Sequence, residues 1–151
     1  MTIHYTPGQL RDVLGMPKET LRYWKKELGE LIPSKGQRAT FSPADLVAVS
    51  IIKEVTDLGL PISRISGVAP EIFRICRHTS WPQLERSVVV LELRVGAVSF
   101  ETDPHTSFAH PTLQIPLQPL METLRGLLLS GTDHQRPLAF PPVTISRRAL
   151  R

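Results

Sequence analysis

Cysteine is almost absent from this chain of 151 residues, where Cys76 stands alone. No intrachain disulfide can form, which suits a reducing compartment. Long apolar runs are missing too. A bilayer takes about 20 apolar residues to span, and runs such as Leu46-Val47-Ala48-Val49 and Val88-Val89-Val90-Leu91 are a fraction of that. No membrane partner is expected. Residues 1–5 show neither a basic segment leading into an apolar one nor a small-residue cleavage site, so no signal peptide is expected. Lysine is missing from everything beyond Lys53, and Arg is the only strong cation after it. The two halves of the chain therefore differ in chemistry.

The same scarcity bears on metals and catalysis. Cys76 has His78 close by, and His105 and His110 share a loop. A Cys-x-His pair has no dependable zinc spacing, and metal sites usually draw on three or four ligands, so no metal and no cofactor are expected. Cys76 reads as a small core residue. His105, His110, Asp103 and Glu101 suggest acid-base chemistry only in kind: no nucleophile, phosphate loop or oriented base accompanies them. An enzyme is not expected.

What is present reads as a globular chain, with 41% hydrophobic and 21% charged residues. That length buries one core or two small ones. The net charge of +4 and isoelectric point near 9.6 suit a polyanion without demanding one. Thr6 is a good N-cap and Pro7 a good first helical residue, opening a helix whose Leu10, Val13 and Leu14 share a face. Gly15 ends it. Pro17 fits the first turn of a second helix reaching Leu28, with Leu21, Trp24 and Leu28 inward and Arg22, Lys25 and Lys26 outward. Two short helices across a tight turn make a helix-turn-helix.

The run Thr20-Leu21-Arg22-Tyr23-Trp24-Lys25-Lys26 carries the functional signal. A helix fits the DNA major groove, where Arg and Lys reach base edges or phosphates and Tyr donates to phosphate oxygens. Gly29 suits the left-handed residue that closes the helix. Residues 31–33, 34–37 and 38–41 read as strand, turn and strand, a hairpin with Lys35 and Arg38 near its tip. Ser42-Pro43-Ala44-Asp45 then opens a third helix with a capping box. Leu46, Val47, Val49, Ile51, Ile52, Val55 and Leu58 give it a stripe too wide for a surface helix, and Gly59 closes it. A fourth short helix starts at residues 60–65.

These parts, in this order from Tyr5 to Ile65, resemble the winged helix-turn-helix of the MerR family. Thr20-Leu21-Arg22-Tyr23-Trp24 is similar to the family's Thr-Ile-Arg-Tyr-Tyr, and Gly36-Gln37-Arg38 to its Gly-Tyr-Arg wing. Ser42-x-x-Asp45-Leu46 resembles its third-helix start, and Leu58-Gly59-Leu60-Pro61-Ile62 its Leu-Gly-Phe-Ser-Leu step. Gln37 departs from the usual wing Tyr, and residues 36–42 look one residue longer, as in phage excisionase relatives. The resemblance implies that Arg22 and Tyr23 clamp phosphates beside the groove. It places Lys18 and Thr20 at the entering end of the recognition helix, with Lys25 behind them; Lys26, which also reads as a solvated side chain, is counted in the expected DNA-binding set. Lys35 and Arg38 would contact phosphate or minor groove from the wing. Trp24 is assigned to packing.

Past Gly67 the resemblance stops. Regulators of this family usually continue into a long helix that pairs with its twin, but Pro70 and Pro82 interrupt the stretch here. Residues 70–77 read as a short helix with Ile72, Phe73 and Cys76 on one face, and residues 80–85 start another. From Ser87 the period becomes two through Val89, Leu91, Leu93 and Val95, with a turn at Gly96 and a return strand at residues 97–100. Leu113, Ile115 and Leu117 alternate again, and Pro119 opens a helix with Leu120, Leu124, Leu127 and Leu128 as its stripe.

The expected fold is a mainly α winged helix-turn-helix of four helices and a two-stranded wing over residues 1–67. A small α+β domain for dimerisation or effector binding follows over 68–131, and a flexible, Pro-rich basic tail over 132–151. A small sheet with exposed edges invites pairing, so a homodimer through Leu91, Leu93, Leu120, Leu124, Leu127 and Leu128 is expected. The expected function is a sequence-specific regulator of transcription on double-stranded DNA. Its setting is the cytoplasm of a bacterium, encoded there or by a phage, on the nucleoid. An architectural DNA-bending factor of the excisionase type and a ligand- or protein-binding module remain open. So does the effector, a small molecule or a protein.

Overall fold

The helix boundaries follow from local chemistry. In this computed structural model, which describes residues 3–32 and 40–130, α1 (Pro7–Leu14) opens with a capping box. The Thr6 hydroxyl accepts from the Gln9 amide at 3.2 Å, and the Gln9 side chain accepts from the Thr6 amide at 2.9 Å. Gly15 closes α1 with a φ of 61°, which Gly adopts at no steric cost. α2 spans Lys18–Leu28. Pro17 sits at its N-cap rather than in its first turn, with extended backbone and no side-chain cap.

α3 (Pro43–Asp57) repeats the capping-box device with Ser42 and Asp45. α4 (Ile62–Ile65), α5 (Ala69–His78) and α6 (Trp81–Glu85) follow. Strands β1 (Val88–Glu92), β2 (Ala97–Glu101) and β3 (Leu113–Pro116) form an antiparallel sheet in the order β2-β1-β3. Val89 pairs with Phe100 on one side and Ile115 on the other; Leu91 pairs with Val98 and Leu113. These alternating residues form the apolar face that meets the core. α7 (Leu117–Ser130) closes the described chain.

Seven consecutive residues of α3, from Leu46 to Ile52, are buried. A helix apolar all round needs neighbours on every side, and α4, α5 and α7 supply them. The one hydroxyl in that run is satisfied locally, Ser50 donating to the Leu46 carbonyl at 2.7 Å. The core runs through residue 67 without a break: Tyr5, Trp24, Ile51, Phe73, Leu91 and Leu124 belong to one cluster. Ion pairs clip its rim. Arg77 of α5 donates to Asp45 at 2.8 Å and lies over the Phe73 ring at 5.4 Å from its centroid, while Arg125 of α7 donates to Glu85 of α6.

Four expectations need correction. Residues 29–31 form a 3₁₀ turn, not the approach to a strand. Phe41 instead pairs with Tyr5, each amide donating to the other's carbonyl at 2.8 Å. The tip of the expected wing, residues 33–39, and the tail from 131 lie outside the described residues. Leu58, at the C-cap of α3, is 60% exposed rather than part of its stripe. Val95 lies in the turn after β1, which stops at Glu92. α7 starts at Leu117, two residues before Pro119. The Leu117 amide donates to Ser87 at 3.0 Å and ends the ladder, and Pro119 fits the first turn because amides there have no helical partner. Its buried stripe is Leu117, Met121, Leu124 and Leu128, while Leu127 stays 42% exposed.

Cys76 is buried, and burial pushes its thiol from an ordinary 9.0 up to about 12, with the Asp45 carboxylate adding to the rise and Arg77 offsetting part of it. The unfolded thiol ionises as pH passes 9.0 while the folded thiol stays neutral until about 12. Stability linked to Cys76 is therefore intact below the first value and declines between the two. Urea unfolding midpoints are expected to fall over that window, and to fall less steeply in Cys76→Ala. At neutral pH a thiol reagent should react only after unfolding.

Candidate nucleic-acid interface

Leu21, Trp24 and Leu28 hold α2 against the core and thereby decide what faces out. Lys18, Arg22 and Lys26 are exposed along one line of the helix at a spacing of four residues. Tyr23 is 50% exposed, a large aromatic left in solvent beside them. Thr20 is half-buried at the edge of this face. Among the described residues Lys18, Arg22 and Lys26 have no ion-pair partner. α2 has no side-chain cap, and the Glu19 carboxylate in its first turn offsets the positive end of its dipole. The face thus presents three cations without an acid and a phenol, groups of the kind that hold phosphate backbones.

Lys25 does something else. Its ammonium donates to the Gly29 carbonyl at 2.9 Å and the Ile32 carbonyl at 2.5 Å. The Gly29 oxygen also accepts from the Ile32 amide at 3.2 Å, so the charge braces both ends of the 3₁₀ turn and fixes where the chain leaves toward residue 33. Lys35 and Arg38 lie outside the described residues. Arg64, to which the sequence pattern attaches no role, is exposed on α4, and α4 packs on α2. The available signal was a cation on a short helix just after Pro61.

The six leucines expected to pair two copies divide. Leu91, Leu124 and Leu128 are buried inside this chain, which accounts for their apolar character without a partner; Leu93, Leu120 and Leu127 keep surface. Leu120 and Leu124 also line an open cleft of about 330 Å³ facing Val13 and Leu14 of α1 and Lys53 of α3. Among the described residues no three His, Cys, Asp or Glu side chains gather as a metal site. No helix among them is long and apolar enough to cross a membrane.

The Lys25 geometry has a measurable consequence. Lys25→Met keeps the stem and removes two charged hydrogen bonds, which should cost about 1 kcal/mol at a partly exposed site and lower the melting temperature by about 2–4 °C. An unchanged melting curve would mean the contact carries no weight.

Neither a curated protein nor a solved structure matches the chain. Residues 5–72, which hold α1 to α4 and the first turn of α5, match the family model described as MerR HTH family regulatory protein. This is a few residues more than the motifs themselves cover. That segment of the chain, with α2 as its outward-facing helix, is similar to the MerR helix-turn-helix family.

Proposed function

We propose that the chain is a sequence-specific regulator of transcription that lays α2 in the major groove of duplex DNA. Arg22 and Tyr23 anchor phosphates beside the groove, and Lys18, Thr20 and Lys26 lie along its entry. Residues 33–39, with Lys35 and Arg38, rest on the flanking backbone or minor groove. Lys25 contributes indirectly, by setting the exit of the chain from α2 toward that segment. Such a protein works in the cytoplasm, where the DNA is. The observation that carries this reading is the unpaired cationic face of α2, set opposite a stripe buried in the core.

A gel-shift titration tests it. Arg22→Ala should weaken binding to specific and unrelated duplexes about equally and reduce the slope of log affinity against log salt by about one. Arg22 is exposed, so the variant should fold as the parent does. Equal affinities and equal slopes would remove Arg22 from the interface, and a parent protein that binds no duplex in dilute salt would end the reading altogether.

Pairing of two copies belongs to the same proposal, because a two-fold reader doubles its contacts with DNA. Leu93, Leu120 and Leu127 are the members of the expected set with surface to give. Light scattering should return close to twice the 16.9 kDa of one chain, and Leu127→Glu should return a single chain. A parent that stays monomeric at high concentration would refute the pairing and leave the DNA contact standing.

A further inference from the structure

Beside the cations of α2, between their line and Tyr23, stands an acid. With about 100° between successive residues, Glu19 lies about 170° round the helix from the middle of the Leu21, Trp24 and Leu28 stripe. It is exposed, and among the described residues it has no hydrogen-bond or ion-pair partner. Lys26 shares its line two turns on, and Arg22 and Tyr23 flank it. Against a polyanion this placement is costly, since the carboxylate repels the phosphates its neighbours attract. The line of α2 farthest from the core, which Glu19 opens and Lys26 continues, is also the one that enters a groove most deeply.

Depth changes what a carboxylate meets. On the groove floor the partners are base edges, and cytosine offers an N4 amino donor there with no acceptor of its own beside it. Adenine also offers an amino group, but its N7 acceptor sits next to it and opposes a second carboxylate oxygen. Glu19 lies in the first turn of α2, and the first residues of a recognition helix are those that contact bases. We propose that Glu19 reads a cytosine in the bound site, while Lys18, Arg22 and Lys26 supply attraction that does not depend on sequence. The inference rests on the DNA-binding reading above and adds a base to it.

A carboxylate in a first helical turn also offsets the helix dipole, and in α2 no side chain caps that end. The two roles separate by what they change. Loss of dipole compensation lowers stability and leaves base preference alone; loss of a base reader does the reverse. The experiment is selection of bound duplexes from a randomised pool by the full chain and by two variants, with melting curves alongside. The parent should enrich a site containing a cytosine. Glu19→Ala should make that one position indifferent, lowering discrimination there about tenfold, while binding to unrelated duplex tightens as a repulsive charge disappears. Glu19→Gln should move the preference toward adenine, because a side-chain amide matches the N6 and N7 pair. If both variants return the parent's site with undiminished preference, Glu19 reads no base and the DNA-binding reading stands. If the parent itself enriches nothing, that reading fails and this inference falls with it.

Discussion

The structure depends on the burial of α3 round its whole circumference. A run from Leu46 to Ile52 with no exposed residue cannot be served by the helices before it alone. Each fully buried Val, Leu or Ile is worth about 1.5–3 kcal/mol relative to exposure, so every uncovered side of α3 is a large loss. α5 covers one side, with Ile72, Phe73 and Cys76 turned inward, and α7 covers another. The segment beyond residue 67 is therefore not an appendage to a self-sufficient helix-turn-helix. It completes the core on which α2 rests.

This coverage ties the outward face of α2 to distant parts of the chain. Trp24 sits in the same cluster as Ile51, which packs in the same core as Phe73 and Leu124. Arg77 reaches from α5 to Asp45, whose other oxygen accepts from the Ser42 amide, so one carboxylate both caps α3 and docks α5. Ser42 follows Phe41, and Phe41 is pinned to Tyr5. The ends of the stretch between α2 and α3 are thus both held: one by Lys25 across residues 29–32, the other by this bridge and cap.

Wherever a boundary is made by neighbours in the chain, it can be read from the chain. Thr6 with Pro7, Ser42 with Pro43 and Asp45, and the glycines at 15 and 29 carry their caps within three or four residues, and the helices start and stop there. Periodicity likewise identifies Arg22 and Lys26 as outward cations, whereas Lys25, read with them, turns to the carbonyls at the helix end. What could not be read depends on partners far away. Residues 31–32 look like a strand until the Lys25 ammonium takes their neighbourhood's carbonyls. Leu91, Leu124 and Leu128 look like an interface until the helices and sheet of the same chain close over them. The start of α7 moves from Pro119 to Leu117 because Ser87, thirty residues earlier in the chain, accepts its amide. Glu19 went unmarked for the opposite reason: no neighbour among the described residues answers its charge.

Charge shows the same division between local and distant. Beyond residue 67, Arg74, Arg77 and Arg125 are each matched to an acid, and Lys53 is matched to Asp57 at 2.6 Å. These cations hold helices together and project little field. On α2, Lys18, Arg22 and Lys26 have no such match, so their potential extends into solvent over about a Debye length, roughly 8–10 Å at physiological salt. A net charge of +4 would be unremarkable spread evenly over a chain of this size. Other arginines without an acid, Arg11, Arg64, Arg86 and Arg94, stand singly on different elements, whereas on α2 three such cations share one side of a helix and their potentials add.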